Sequence, residues 1–437
     1  MHPNVPKTDR PKGLSHCAML PGPSDRRPQT VAPICALLVL SVGMIPVASP
    51  SSVFWTAPSI LVAAMLIAWA AESAQFFIAQ GFALAILAWL QTLPEFAVEA
   101  VLAWRQQVPL LMANLTGALR LLTGLGWPMI YGTAALFHRK RRQGRLREIR
   151  LADEHCVEVM GLLAALVYTA VICVKGSLTL LDAAILIAIY VAYLLVLGRM
   201  PSEGEESIEE LELVPRTIVK APKATRIGVI AILFLGGGAL IYFTAEPFLA
   251  SLLAVSASLG VPNFVFVQWV APFVSEFPEK VSAFYWARTV DRASTALMNM
   301  VSSNVNQWTL LAAMLPIVYS LSRGAPSSIP LDGEQQFQLL MTLGQSLLAA
   351  LFLVDMRLRW WEAAGLFALW GVQFAFSPVR PGPGVAGVLA EYVPRCVTAA
   401  YFVWSGVEIA RIVAGRRRPE AFRLFAVMWA RHVRPVS

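Results

Sequence analysis

Apolar stretches long enough to cross a bilayer recur along nearly the whole chain, with short polar segments between them. A transmembrane α-helix needs about 20 apolar residues, and these stretches are continuously apolar rather than alternating, which favours helices over a β-barrel. The pattern predicts an all-α polytopic membrane protein with about twelve spans, at 31–49, 53–72, 82–104, 108–136, 157–175, 178–198, 226–250, 263–287, 294–320, 337–356, 360–377 and 388–413. A signal peptide is the alternative for 31–49, but the polar segment before it is long for one.

Composition agrees with residence in a membrane. Charged residues make up 14% of the chain, against roughly 25% in average soluble proteins, which excludes an ordinary soluble protein. The net charge of +8 comes from basic residues between apolar stretches, so we interpret them as loop anchors and not as a nucleic-acid surface. The expected partners are the lipid bilayer and small inorganic cations, with no nucleic acid. Nothing in the pattern indicates an oligomeric state.

The basic segments predict an orientation and a domain plan. Segment 138–150 is the most basic internal loop, and the positive-inside rule places it in the cytoplasm together with both termini and the central loop. Short loops favour a bacterial inner membrane. The acidic run in the central loop is interpreted as a solvated connector, with a regulatory cation site as the alternative. The plan is a disordered basic tail at 1–30, a first membrane repeat with one extra helix at 31–198, a charged linker at 199–225, a second repeat with a C-terminal helix at 226–414, and a basic tail at 415–437.

The cysteines and histidines do not indicate a metal-binding or catalytic site. The five cysteines are scattered without a Cys-x-x-Cys pair, and the five histidines lie outside the strong apolar stretches. This argues against a disulfide framework, a zinc site and an intramembrane Ser–His hydrolase. We therefore expect no enzyme and no cofactor.

One motif occurs once in each half. The first half contains Leu90-Gln-Thr-Leu-Pro-Glu95 and the second contains Val274-Ser-Glu-Phe-Pro-Glu279. Asn114 follows Glu95 by nineteen residues, and Asn299 follows Glu279 by twenty. The copies lie on the third and the eighth predicted spans, an advance of five helices along the chain, so they cross the membrane in opposite senses. This predicts two inverted-topology repeats of about five helices, with extra helices at the ends.

The chemistry of the motif indicates a cation site. A carboxylate near the bilayer midplane is expensive and therefore usually functional or paired. Each proline removes a helix hydrogen bond and frees the carbonyl four residues earlier, at Leu90 and Val274. Carbonyl and carboxylate oxygens suit Ca²⁺ or Na⁺. The other candidate ligands share helix faces with the glutamates or form a stripe on the partner helix: Gln91, Ser275, Glu276, Asn299, Ser303 and Gln307. The alternative is that these polar side chains only hold helices together.

These residues resemble the repeats of the cation/calcium exchanger superfamily, which includes sodium/calcium exchangers. That family carries Gly-Thr-Ser-x-Pro-Glu on one helix and Gly-Asn-x-x-Gly-Ser-Asn on the next, once per half. The resemblance covers about 75–137 and 256–322 and implies the exchanger fold. It also implies that Glu95 and Glu279 bind the transported cation. The other implied positions are Gln91, Thr92, Ser275, Asn114, Gly117, Asn299 and Ser303.

Several positions depart from the family pattern. Glu276 replaces a serine and Gln307 replaces an aspartate, while Ala118 and Leu122 replace oxygen ligands in the first copy. Arg120 lies inside a predicted span, where an unpaired arginine is costly. It is interpreted as the partner of a carboxylate such as Glu99 or Glu72, or as an occupant of a lost cation site that changes the coupling ratio.

The expected function is secondary antiport by alternating access at a midplane site. A cation such as Ca²⁺ would move in one direction while Na⁺ or H⁺ moves in the other. The alternative is a protein that keeps the exchanger fold, has lost transport, and acts as a sensor or scaffold.

Overall fold

The computed structural model describes residues 49–74, 89–141, 144–200, 211 and 213–433. Almost all of the predicted span 31–49, the tail 1–30 and part of the linker lie outside these residues. The described chain is α-helical, with four very short strands, and this confirms the predicted fold class. The helices are α1 Val53–Ala74, α2 Leu93–Trp104, α3 Val108–Lys140, α4 Cys156–Lys175, α5 Leu180–Leu197, α6 Leu213–Lys220, α7 Lys223–Leu259, α8 Asn263–Ser275, α9 Phe277–Arg288, α10 at 293–323, α11 Gly333–Leu353, α12 Trp360–Phe376, α13 Val385–Val413 and α14 Glu420–Met428.

Seven of these helices are long and apolar enough to cross a membrane, judged over the described residues alone: α1, α3, α4, α5, α7, α11 and α13. The other predicted spans that fall in this part of the chain are helical but interrupted, shorter or more polar. Helix α7 begins at Lys223 and continues to Leu259, so the linker ends earlier and the span is longer than the sequence predicted. The charged linker also contains helix α6.

Four strands show how the two halves are related. Strand β1 (Glu148–Arg150), just before α4, pairs antiparallel with β4 (Arg357–Arg359), just after α11. Strand β2 (Ser177–Leu178), just after α4, pairs antiparallel with β3 (Ile329–Pro330), just before α11. The two sheets therefore lie at opposite ends of α4 and α11, which pack together and run in opposite directions. Equivalent helices of the two repeats are thus inverted.

The glutamate helices are interrupted at matching positions. In the first repeat the helix that includes Trp89–Gln91 breaks at Thr92, and α2 restarts with Pro94 in its first turn. In the second, α8 ends at Ser275, the chain turns at Glu276, and α9 restarts with Pro278 in its first turn. Proline lacks an amide hydrogen and is tolerated at a helix start, so the motif breaks both helices for the same reason.

The helices that follow are irregular at matching positions as well. Leu122–Gly126 in α3 and Gln307–Leu311 in α10 are single π-helical segments. A third π-helical segment, Phe266–Val270, interrupts α8 where it packs against α3. Such segments shift the helix face by one residue and are frequent at functional sites. Both glutamate helices and both partner helices therefore depart from regular geometry near the contact between repeats.

The C-terminal segment is folded onto the bundle. Helix α13 packs against α11, and α14 returns to pack against α4 of the first repeat. Ala421 is fully buried, and its amide donates to the Val354 carbonyl at 2.9 Å. The basic tail predicted from the sequence therefore includes a helix, α14, that packs on the first repeat.

Close packing between α3 and α8 makes Gly117 a sensitive position. A Cβ atom there would lie 1.9 Å from the backbone oxygen of Gln268, whereas a Cβ at Gly132 on the same helix would meet nothing within 4 Å. We expect Gly117→Ala to destabilise the fold by about 1–3 kcal/mol, because backbone atoms must move apart. Gly132→Ala is the matched control. Thermal unfolding in detergent checks this, and equal melting temperatures of the two variants would contradict it.

A candidate cation site between the two repeats

The two Pro-Glu motifs place buried carboxyl groups in the first turns of α2 and α9. Glu95 and Glu279 are both fully buried, and Glu276 at the break before α9 is 1% exposed. Glu99, one turn after Glu95, is also fully buried. Glu95 is close enough to the other three carboxyl groups to be repelled by each of them. Four acidic side chains therefore share one water-excluded region.

Helix α10 of the second repeat contacts the motif of the first. The Asn299 side-chain amide donates to Gln91 Oε1 at 3.2 Å, and the Asn306 amide donates to Thr92 Oγ1 at 2.6 Å. At the first residue of the π-helical segment, Gln307 Nε2 donates to Glu95 Oε2 at 2.7 Å. Three buried hydrogen bonds thus join the repeats at the helix break.

Gln307 also links the two acidic motifs. The same Nε2 atom donates to Glu276 Oε1 at 2.9 Å, so one amide bridges Glu95 and Glu276. The other oxygen of Glu276 accepts from Lys280 Nζ at 2.6 Å, one helical turn further on. Lys280 is 5% exposed, and this is a buried ion pair. Glu276 is thereby neutralised by the chain itself.

Glu279 is held differently. It lies beside the Ser303 hydroxyl, but neither carboxyl oxygen meets a hydrogen-bond donor in good geometry among the described residues. Ser275 donates only weakly to the Pro272 carbonyl of its own helix, at 3.4 Å. An unpaired buried carboxyl is expensive and indicates a site whose partner is a ligand.

The cluster contains many further buried oxygens without a donor in the described part of the chain. They are hard acceptors, which are the ligands that Ca²⁺ and Na⁺ prefer. No three acidic, histidine or cysteine side chains converge there closely enough to hold a metal ion by themselves. A bound cation would therefore take amide, hydroxyl or carbonyl oxygens as well as carboxylates. The acceptors are Glu95 Oε1, Glu99 Oε2, Asn114 Oδ1, Asn299 Oδ1, Ser303 Oγ, Asn306 Oδ1 and Gln307 Oε1.

The two repeats contribute unequally. Asn114 of α3 donates to Glu99 Oε1 at 3.2 Å within the first repeat and not across to the second. Leu122 begins the π-helical segment of α3, where α10 has Gln307. The asymmetry expected from the sequence is therefore present in the contacts: α10 provides most of the polar side chains between the repeats.

The expected carboxylate partner of Arg120 is absent from its described contacts, which corrects the pairing with Glu99 or Glu72. The guanidinium donates to the Thr116 carbonyl at 2.9 Å and to Thr116 Oγ1 at 3.2 Å. It also stacks on the Trp269 ring at 5.2 Å. Cation–π contact and its own helix partly replace the ion pair. The side chain reaches toward α8 and α11, and the bonds of the cluster do not include it.

Most of the predicted ligands thus come together. The structure joins Gln91, Thr92, Glu95, Glu276, Asn299 and Gln307 through hydrogen bonds, and Ser303 and Glu279 are adjacent. Asn114 reaches the same region through Glu99. The carbonyls of Leu90 and Val274 lie in the last turn before each break, and their role as ligands stays a prediction. Sequence reasoning missed Asn306, although it follows Asn299 by seven residues and so lies on the same helix face.

Comparison with known proteins agrees with this geometry. The sequence model of the family described as "Sodium/calcium exchanger protein" matches residues 50–198 and 229–378, which are the two repeats. The chain belongs to this family. The crystal structure of the H⁺/Ca²⁺ exchanger CAX is 31% identical, with a TM-score of 0.79 over 91% of this chain and 95% of that one. A search of curated protein sequences found no match.

Two more distant structures share the exchanger fold. YfkE is 16% identical, with a TM-score of 0.56 over 80% of this chain and 98% of that chain. The sodium-calcium exchanger NCX_Mj is 18% identical, with a TM-score of 0.50 over 77% of this chain and all of that one. At this level of identity the likeness concerns the fold alone.

The Lys280–Glu276 pair can be tested by stability. Lys280→Met leaves a buried unpaired carboxylate, and we expect a loss of about 3–5 kcal/mol. Arg105 and Glu246 form an exposed pair between α2 and α7, so Arg105→Met should cost at most about 1 kcal/mol. The double variant Lys280→Met/Glu276→Gln should recover most of the loss. Thermal unfolding in detergent is the measurement, and equal effects of the two single variants would refute the assignment.

Proposed function

We propose that this exchanger moves Ca²⁺ against protons by alternating access. The observation that carries the proposal is the water-excluded cluster of four carboxyl groups between the inverted repeats, balanced in the described structure by the single ammonium group of Lys280. Four carboxylates and one cation cannot all remain charged at low dielectric. Either a divalent cation or protons must neutralise the surplus, and competition for the same oxygens couples the two fluxes.

The carboxyl groups differ in their contacts, and we propose that they differ in their roles accordingly. Glu276 is occupied by Lys280 and Gln307, so Glu95 and Glu279 are the groups we expect to exchange cation for proton. Glu95 has one oxygen bound to Gln307 and one without a donor, and Glu279 has neither oxygen bound. A Ca²⁺ ion bound between them would take ligands from α2, α9 and α10 at once. The remaining amide and hydroxyl oxygens would complete its coordination.

Protons are proposed as the coupling ion for two reasons. The relative that is 31% identical over nearly the whole chain is an H⁺/Ca²⁺ exchanger. In addition, the first repeat has Ala118 and Leu122 where the exchanger pattern supplies oxygen ligands, which leaves fewer positions for a sodium ion. Sodium coupling is the second candidate, and the experiment below separates the two.

Alternating access requires the repeats to move relative to one another at the helix breaks. Only three hydrogen bonds among the described polar contacts join the motif of the first repeat to α10, and each involves an uncharged amide donor. Such bonds can break and re-form without separating opposite charges. We propose that cation or proton binding at Glu95 changes its bond with Gln307 and so favours one of the two access states.

Orientation follows from the basic residues. The sheet β1–β4 lies at the end of the bundle that carries Arg139–Arg141 and Arg416–Arg418. We propose that this end faces the cytoplasm of a bacterial cell, with the central linker and both termini on the same side. A protein that keeps the fold but acts as a sensor or scaffold is not favoured, because the buried carboxyls keep the arrangement that transport needs.

Transport in proteoliposomes tests the function. We expect a pH gradient to drive Ca²⁺ uptake, and Glu95→Gln and Glu279→Gln each to reduce it at least about 100-fold, since a neutral amide can neither release a proton nor neutralise Ca²⁺. Glu246→Gln, at the exposed end of the Arg105 pair, is the matched control. Uptake under a sodium gradient alone would identify sodium coupling. Uptake that survives in both glutamine variants would reject the assigned site.

The side-chain amide of Gln307, which bridges Glu95 and Glu276, can be tested separately through the KM for Ca²⁺. Gln307→Leu copies the residue found at the matching position of the first repeat, so we expect the helix to form. Glu95 and Glu276 each lose a donor, and the KM for Ca²⁺ should rise about tenfold, equivalent to roughly 1.4 kcal/mol. Gln373→Leu removes a buried glutamine of α12 outside the cluster and serves as control. Equal KM values in the two variants would contradict a role for the bridge.

A further inference from the structure

A cavity of about 300 Å³ opens at the arginine-rich end of the bundle, beyond the last turn of α13. Strand β4 and the segment that connects α13 to α14 form its walls. Six arginines line it: Arg357, Arg359, Arg411, Arg416, Arg417 and Arg418. We call it the basic cavity. None of these residues takes part in the cluster between the repeats.

The base of the cavity is a preorganised ionic network around Arg417, which is 4% exposed. Its guanidinium donates to Glu408 at 2.7 Å, to Glu362 at 2.8 Å and to Asp355 at 3.0 Å. It also donates to the Phe352 carbonyl at 2.7 Å. The network joins the end of α11 to the start of α12 and the end of α13. The three carboxylates of this network all accept hydrogen bonds from Arg417.

Two neighbouring arginines complete the neutralisation of these carboxylates. Arg359 donates to Asp355 at 2.6 Å and to Glu362 at 3.1 Å, and Arg411 donates to Glu408 at 2.9 Å. The remaining acidic lining residue, Glu420, is bound by Arg423. That hydrogen bond lowers the pKa of Glu420, so the residue stays ionised and paired. No lining carboxylate is left to oppose an incoming anion.

The outer wall of the cavity carries arginine side chains that no described carboxylate pairs with. Arg416 and Arg418 are exposed and make no side-chain hydrogen bond or ion pair with the described residues. Among the described residues, the side chain of Arg357 has one ion-pair contact, with Glu148 at 3.4 Å, and it is 44% exposed. The lining therefore carries six arginines against two acidic residues, Asp355 and Glu420, and the guanidinium groups of Arg416 and Arg418 are exposed. A basic loop anchor needs no buried arginine and no cavity, so the positive-inside pattern alone does not explain this arrangement.

We propose that the basic cavity binds a phosphate group. Guanidinium groups form bidentate, charge-assisted bonds with phosphate oxygens, and a ring of several arginines suits that geometry better than a carboxylate. The cavity is large enough for one phosphate with its ester group and too small for a whole lipid. It opens beside the last turn of α13, at the end of the bundle proposed to face the cytoplasm, so the phosphate can belong to an anionic phospholipid headgroup or be free in solution.

The position of the cavity gives binding a structural consequence. Helix α14 leaves the cavity wall to pack on α4 of the first repeat, and β4 pairs with β1 of the same repeat. The Arg417 network belongs to the second repeat and α13. A phosphate bound by Arg416 and Arg418 would therefore stabilise the contact between the repeats at this end of the bundle. The expected effect is greater thermal stability of the whole protein.

The test uses the full-length protein in lipid nanodiscs and in detergent. One arm compares nanodiscs of phosphatidylcholine with nanodiscs that also contain phosphatidylglycerol. The other titrates inorganic phosphate and pyrophosphate into the detergent-solubilised protein. The variant Arg416→Gln/Arg418→Gln removes two charges at the mouth. Arg139→Gln/Lys140→Gln removes two exposed charges at the same end, outside the cavity, and is the matched control.

We expect a higher melting temperature with the phosphate-bearing ligand, at least tenfold weaker binding in Arg416→Gln/Arg418→Gln, and unchanged binding in the control. Stabilisation by phosphatidylglycerol alone identifies the headgroup, and stabilisation by inorganic phosphate identifies a soluble source. No stabilisation by either ligand, or equal loss in both double variants, overturns the proposal. If the double variant fails to fold, native mass spectrometry of Arg416→Gln and Arg418→Gln singly gives the same comparison through the number of ligands bound.

Discussion

The structure depends on the cost of carboxyl groups in a region without water. Four carboxyl groups are buried together: Glu95, Glu99, Glu276 and Glu279. A chain can keep such groups only if they are paired with other side chains, protonated or bound to a cation. Here one is paired with Lys280, two accept from amides, and one meets no donor in the described structure. The helix breaks, the π-helical segments and the close approach of α3 to α8 all serve to bring these groups together.

The inverted repeat explains how a chain of this length builds such a site. Each half supplies a broken helix with Pro-Glu at its restart, and opposite orientation allows the two restarts to meet in the interior. The side chains of the two copies differ. Gln307 stands where the first repeat has Leu122, and Lys280 adds a fixed positive charge to the second repeat alone. The symmetry thus sets the backbone plan, while unequal side chains set the charge of the candidate site.

A second ionic system works at the arginine-rich end. Arg417 is 4% exposed, and Asp355, Glu362 and Glu408 balance its charge. The contrast is informative. At this end of the bundle, carboxylates of the chain itself balance the buried guanidinium group of Arg417. At the candidate cation site, several carboxyl and amide oxygens meet no donor among the described residues.

Local properties of the sequence determined the helical membrane fold, the two Pro-Glu restarts, their inverted sense and the glutamates, because apolar length and proline act within a few residues. Only tertiary structure decided which oxygens meet. Asn306 bonds to Thr92 across more than two hundred residues, and Arg120 stacks on Trp269 in place of a carboxylate partner. Arg417 gathers acidic groups from the turn after α11, from α12 and from α13. Such contacts depend on how helices pack against one another, and no periodicity along one helix records the face of its neighbour.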